Sequence, residues 1–134
     1  MDKKYRFIIA GGKTGGHLFP GIALGEFLKM CGHEVVFVGS PGGLEVREIP
    51  KRGFPLELID VGGLKGKNIV ERLKNLAKLP FSLFNSLKII EKYQADAVIS
   101  LGGFAAGPVA LAGKIKGKKI FAMEQNSCPG ITTK

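Results

Sequence analysis

The sequence predicts an α/β domain built on a parallel sheet with helices on both faces. Three observations lead there. Short β-rich runs alternate with helical stretches along the chain, the order that gives a parallel sheet covered by helices. Glycine-rich or polar turns follow the first, fourth and fifth strands at their carboxyl ends, where open α/β sheets bind ligands. The 134 residues suit one domain, 1–134, and their 45% hydrophobic and 23% charged content is that of a globular chain.

Tyr5–Ala10 reads as the first strand, ending in a glycine-rich turn. A helix follows from Leu18 to Met30, with Phe19, Ile22, Ala23, Phe27 and Leu28 as its apolar stripe and Gly32 as its stop. Val35–Val38 is a second, buried strand; a shorter helix over Leu44–Arg52 ends at Gly53, and Pro55–Val61 is the third strand. Ile69–Tyr93 is helical and broken or kinked at Pro80. Ala97–Leu101 is the fourth strand, Pro108–Ile115 its following helix and Lys119–Met123 the fifth strand. Thr132 and Thr133 are cap-type residues that read as the opening of another helix, so the chain reads as cut short at Lys134.

Composition excludes several classes. Cys31 and Cys128 are too few for a disulfide scaffold and form no CxxC pair, so a reduced cytoplasmic compartment is expected. The N-terminus lacks the long apolar run of a signal peptide, and no stretch of about 18 apolar residues offers a spanning helix. The net charge of +9 is lopsided: residues 1–60 hold 8 Lys/Arg against 7 Asp/Glu, whereas residues 61–134 hold 12 against 4. A basic half suits a phosphorylated ligand or an acidic membrane, and equally a plain lysine-rich surface. Nucleic acid is not expected, since no helix-turn-helix, RNP-like aromatic segment or zinc-finger spacing is present.

The first turn reads Gly11-Gly12-Lys13-Thr14-Gly15-Gly16-His17. Its glycines let a ligand approach the backbone, and the helix start after it offers free N–H groups and a positive dipole end to a phosphate. It matches neither G-x-G-x-x-G nor a P-loop, whose upstream glycine position is Phe7 here. An anion or sugar site is the reading taken, against a tight connection without a ligand. Gly102-Gly103-Phe104-Ala105-Ala106-Gly107-Pro108 repeats the logic after strand four, and a structural turn accounts for it nearly as well. Glu124-Gln125-Asn126 after strand five offers three consecutive hydrogen-bonding side chains, suited to sugar hydroxyls or an amide, or to loop capping.

His17 is the histidine near these turns, a candidate general base, phosphate donor or helix cap; His33, in a turn at the other end of the strands, reads as structural. No His/Cys/Asp/Glu cluster has metal-ligand spacing and no Gly-x-Ser-x-Gly elbow is present, so no metal is expected. Between residues 64 and 88, Leu64, Ile69, Leu73, Leu76, Leu79, Phe81, Leu83, Phe84 and Leu87 exceed what one helix side buries. Lys65, Lys67, Arg72, Lys74, Lys78 and Lys88 surround them. Apolar groups ringed by lysines suit insertion into an anionic membrane surface, where each basic residue contributes about 1 kcal/mol. A core helix with a solvated lysine face is the competing reading.

Together the three turns resemble the N-terminal half of the MurG-type transferases. The resemblance rests on Gly11-Gly12 with Thr14-Gly15-Gly16-His17 and Phe19-Pro20-Gly21, on Gly102-Gly103-Phe104 with Gly107-Pro108, and on Glu124-Gln125-Asn126 with Pro129-Gly130, Thr132 and Lys134. Gly63-Leu64-Lys65-Gly66-Lys67 and Phe84-Asn85 match as well, so it spans essentially the whole chain. It implies the Rossmann-like N-terminal half of a two-domain glycosyltransferase-B fold. The family moves N-acetylglucosamine from UDP to the 4-hydroxyl of undecaprenyl-pyrophosphoryl-N-acetylmuramyl-pentapeptide, with inversion and without a cofactor, as a peripheral protein on the cytoplasmic side of the membrane.

Position by position, the resemblance implies that Thr14, Gly15, Gly16 and Asn126 contact the donor. Gly12, Gly102, Gly103, Phe104, Glu124 and Gln125 would face the acceptor pyrophosphate, and His17 is the candidate base. Leu73, Leu76, Leu79, Phe81 and Phe84, with Lys74 and Lys78, would meet the membrane. Lys13 is one residue more than the family's GGTGGH. The donor-binding half lies outside this sequence, so the chain is expected to be inactive alone. The alternative is a non-catalytic subunit of a split glycosyltransferase that binds a polyprenyl phosphate or a membrane.

Overall fold

The computed structural model describes residues 4–11, 15–41, 45–59, 70, 78–102 and 106–123; for residues 15–17, 78 and 79 the description covers the helical backbone alone. In chain order the elements are β1 (Arg6–Ala10), α1 (Gly15–Met30), β2 (Glu34–Gly39), α2 (Glu45–Lys51), β3 (Leu56–Leu58), α3 (Lys78–Tyr93), β4 (Ala97–Ser100), α4 (Ala106–Ile115) and β5 (Lys119–Ala122). The strands form one parallel sheet in the order β3-β2-β1-β4-β5.

Side-chain alternation along these strands builds two cores. Ile8, Ala10, Val36, Val38 and Val98 face one side, against Ile89 and Ile90 of α3 and Val109 and Ala112 of α4. Ile9, Val35, Phe37 and Ile99 face the other, against Leu18 and Ile22 of α1 and Ile49 of α2. Strands buried on both faces read as continuous apolar runs, as RFIIA and EVVFVG do. The chain reverses its direction of winding between β1 and β4, which are neighbours in the sheet although α1, α2 and α3 lie between them in sequence. Right-handed crossovers then put α1 and α2 on one face and α3 and α4 on the other.

Several expected boundaries shift. α1 begins at Gly15, three residues before the expected Leu18, so the last two glycines of the first turn and His17 belong to its opening turn. Its buried side is Leu18, Gly21, Ile22 and Gly25, whereas Phe19 and Phe27 are exposed by 43% and 60% and Ala23 is exposed too. Of the expected stripe, Ile22 and Leu28 pack against the core, while Phe19, Ala23 and Phe27 do not. The helix approaches the sheet through glycine: a Cβ on Gly21 would lie 2.5 Å from Leu101 Cδ1, and one on Gly25 2.9 Å from Phe37 Cζ. Gly32 ends α1 as expected, at φ +93°, with the His33 N–H reaching back to the Leu28 carbonyl at 3.0 Å. β3 covers Leu56–Leu58 within the expected Pro55–Val61, followed by one further backbone bond from the Ile59 N–H to the Gly39 carbonyl, and residues 60 and 61 lie outside the described residues. Pro80 lies in the first turn of α3, where the missing N–H has no helical partner to lose; most of the expected helix before it falls on residues 71–77, which lie outside the described residues. α4 starts at Ala106, which puts Pro108 in the same kind of place.

Candidate functional site

The carboxyl ends of β1, β4 and β5 lie side by side, because those strands are adjacent and parallel. The ladder runs one residue past each strand: the Gly11 N–H donates to the Val38 carbonyl at 2.9 Å, Leu101 to Ala10 at 2.8 Å and Met123 to Ser100 at 2.8 Å. This point is the topological switch between β1 and β4, the place where open α/β sheets form their ligand crevice.

Gly11 and Gly102 form its floor. Both hold left-handed φ, +107° and +92°, and a Cβ on Gly11 would sit 2.1 Å from the Gly102 carbonyl oxygen and 3.3 Å from Ala106 Cβ. Only glycine meets both demands, so the two turns touch backbone to backbone. The Gly102 N–H is steadied by Ser100 Oγ at 3.4 Å. α1 begins four residues after Gly11 and α4 four residues after Gly102. Neither carries an acidic residue in its first turn, so both positive dipole ends are left uncompensated there.

Of the expected site residues, Gly15, Gly16 and His17 form the first turn of α1 and Gly102 lies at the crevice floor. Gly12, Thr14, Gly103, Phe104, Glu124, Gln125 and Asn126 lie outside the described residues. Among the described residues no group of three His, Cys, Asp or Glu could hold a metal ion.

Glu45 is a residue at this edge that sequence reasoning missed. It is 1% exposed at the start of α2, and its Oε2 accepts the Ser40 N–H at 3.0 Å. Its carboxylate lies against Gly39, where a Cβ would fall 2.3 Å from Oε2. Its Oε1 is buried without a hydrogen-bond partner among the described residues. The available signal was an acidic residue opening a helix just after a strand-ending Gly-Ser.

On α3, Phe81 and Phe84 project into solvent, 70% and 57% exposed, with Lys88 Nζ 5.3 Å from the Phe84 ring centre. Their spacing of three puts them on one face, while Leu83 and Leu87 pack partly buried against the core. Val70 is 61% exposed, as are Leu111 and Ile115 of α4 by 51% and 59%. Leu73, Leu76 and Lys74 lie outside the described residues, and Lys78 and Leu79 are helical in backbone. Among the described residues no helix is long and apolar enough to cross a membrane.

Comparison with known proteins matches residues 7–134 to the N-terminal domain of glycosyltransferase family 28. The chain is 48% identical over 131 residues to a Myxococcus xanthus protein named UDP-N-acetylglucosamine--N-acetylmuramyl-(pentapeptide) pyrophosphoryl-undecaprenol N-acetylglucosamine transferase, covering 96% of this chain and 34% of that protein. A Syntrophus aciditrophicus protein of the same name is 46% identical, over 96% of this chain and 36% of its own length. The crystal structure of Acinetobacter baumannii MurG superposes with a TM-score of 0.81 at 29% identity, over 92% of this chain and 36% of that one. The chain thus spans about a third of the length of these relatives, and its sheet is the Rossmann-like half of a glycosyltransferase-B fold. With the family model covering almost all of its residues, the chain belongs to glycosyltransferase family 28, as an N-terminal domain of that family.

Proposed function

We propose that this chain is the acceptor-side domain of an inverting N-acetylglucosaminyltransferase of peptidoglycan synthesis. The enzyme takes N-acetylglucosamine from UDP and passes it to the 4-hydroxyl of undecaprenyl-pyrophosphoryl-N-acetylmuramyl-pentapeptide. The observation that carries this reading is the contact of Gly11 with Gly102, which brings two uncompensated helix N-termini to one crevice. Such a concentration of free N–H groups and positive dipole ends suits a pyrophosphate. The name borne by the relatives supports the pair of substrates.

In this reading Gly12, Gly102, Gly103, Phe104, Glu124 and Gln125 hold the acceptor pyrophosphate. Thr14, Gly15, Gly16 and Asn126 reach a UDP-sugar held mainly by a donor domain outside residues 1–134. The acceptor O4 bonds to the anomeric carbon on the face opposite UDP, the bond to the β-phosphate oxygen breaks, and UDP leaves with the electron pair. His17, in the first turn of α1, takes the hydroxyl proton. Alignment of O4 behind the anomeric carbon is what the crevice contributes to rate. The Phe81–Phe84 face with Lys88, and the residues 73–78 before it, rest on the cytoplasmic surface of the membrane and present the crevice to a lipid-linked sugar.

Co-sedimentation with anionic vesicles, with and without the lipid-linked muramyl-pentapeptide, tests this. Binding enhanced by that lipid is expected. Equal binding to both vesicles favours instead a membrane-binding subunit with no acceptor site. In an enzyme reconstituted with a donor domain, His17→Ala and Asn126→Ala are expected to abolish transfer and leave vesicle binding intact; normal transfer by both overturns their assignment.

A further inference from the structure

At the opposite, amino-terminal edge of the sheet a cavity of about 300 Å³ opens between the starts of β1 and β2 and the approaches to β3 and β4. Phe7, His33, Phe54, Tyr93 and Ala95 line it, with Lys29 beside them. It lies at the far edge of the sheet from the crevice of the proposed transfer. Three of its aromatic walls are held by a second contact each. Phe54 packs edge-on against Phe37 with ring centres 5.0 Å apart. His33 accepts the Tyr5 N–H on Nδ1 at 3.0 Å and meets Phe7 edge-on at 5.5 Å. Tyr93 is anchored through its hydroxyl, which donates to Glu57. A cavity with walls fixed in this way is formed before any ligand arrives.

Its charges are unequally matched. Glu34 is already bridged by Lys4 at 3.2 Å and by Arg6 at 3.3 Å. Lys29 has no carboxylate partner among the described residues; its Nζ sits 5.1 Å from the centre of the Phe54 ring. The hydrogen bond at His33 Nδ1 assigns the ring proton to Nε2, which adds a second donor without an acceptor among the described residues. Gly53 borders the space with nothing within 4 Å of where its Cβ would be. A site with aromatic walls, one unpaired cation and one spare donor is complementary to a flat apolar body carrying a single negative charge.

We propose that this cavity is a binding site for a small planar aromatic anion, such as an aromatic carboxylate, with its ring against Phe7 and Phe54 and its charge at Lys29. The volume lies at the low end for ligand sites and suits one fused ring system rather than a nucleotide-sugar.

Amide NMR of the full chain titrated with 2-naphthoate tests it, with neutral 2-naphthalenemethanol in parallel. Saturable shifts of His33, Val36, Phe54 and Ala95 are expected with naphthoate, while Phe84 and Leu111 stay in place. The alcohol should bind about fivefold more weakly, and the exposed Lys29→Gln should lower naphthoate affinity to the same level. Shifts confined to the Phe81–Phe84 face, or equal affinities for the two compounds with no effect of Lys29→Gln, overturn the proposal.

Discussion

Gly11 and Gly102 meet backbone to backbone at the carboxyl edge of the sheet, so closely that a Cβ on the first would overlap the carbonyl oxygen of the second at 2.1 Å. Two penalties therefore stack at Gly11, the left-handed φ of +107° and the overlap. Gly32 has the first penalty without the second: its φ is +93° and nothing lies within 4 Å of its Cβ position. Gly32→Ala is expected to cost about 1–2 kcal/mol from backbone strain. Gly11→Ala should cost about 3 kcal/mol or more, because backbone, unlike a side-chain end, cannot turn away. Denaturant midpoints of the two variants compare them directly; equal losses would show that the two turns are not in contact.

The same reasoning separates two helical glycines. Gly107, in the first turn of α4, has open space at its Cβ position, whereas Gly21 in α1 would press into Leu101 Cδ1 at 2.5 Å. Replacing a helical glycine by alanine favours the helix by up to about 1 kcal/mol. Gly107→Ala should thus raise the unfolding midpoint slightly. Gly21→Ala should lower stability by about 1–2 kcal/mol, since overpacking against buried Leu101 outweighs the helix gain. A stabilising Gly21→Ala would mean that α1 stands off the sheet.

How legible the fold was in the sequence follows from such residues. Strands buried on both faces, RFIIA and EVVFVG, announce themselves through β-branched and aromatic residues, and all five strands fall where expected within a few residues. The buried side of α1 was misread because its closest contacts are Gly21 and Gly25, which carry no hydrophobic signal, while Phe19 and Phe27 carry a large one and lie outside. Proline was legible too: Pro108 was read at the start of its helix and lies in the first turn of α4, and Pro80 lies in the first turn of α3, where proline costs nothing. At the crevice the glycines were legible because their spacing after strands has a geometric reason. Glu45 was not, because a buried carboxylate looks like any surface acid until Gly39 is seen beside it.

Glu57 and Tyr93 give stability a dependence on pH at both extremes. The Tyr93 hydroxyl donates to Glu57, and Lys92 Nζ lies 2.9 Å from the same oxygen. The tyrosine hydrogen bond, helped by Lys92, holds the Glu57 carboxyl below its ordinary 4.5 against the opposing effect of burial. A lowered carboxyl contributes stability above about pH 4.5 that is lost as pH falls through the folded-state value. The same hydrogen bond raises the Tyr93 phenol above 10.0, and burial adds to it. A raised phenol contributes stability below about pH 10 that is lost as pH climbs through the folded-state value. Tyr93→Phe keeps the ring against the core and removes the shared bond. Urea midpoints for the variant are expected to fall less steeply than the parent's below pH 4.5 and above pH 10. Parallel curves for the two proteins would sink the assignment.

The exposed face of α3 makes a prediction that stability and membrane affinity can separate. Phe81 and Phe84 are mostly in solvent, so replacing either by serine removes little packing, and unfolding midpoints should move by less than about 0.5 kcal/mol. If that face enters a bilayer surface, each ring transfers its apolar area out of water there, and its loss should weaken partitioning by about tenfold. Lys88, which rests over the Phe84 ring, adds attraction to anionic headgroups that salt screens. Sedimentation with vesicles containing anionic lipid should therefore show Phe84→Ser bound more weakly than the parent at every salt concentration. Lys88→Gln should match the parent at high salt and fall below it at low salt. Unchanged binding by Phe81→Ser and Phe84→Ser together would move the membrane contact off this face of the helix.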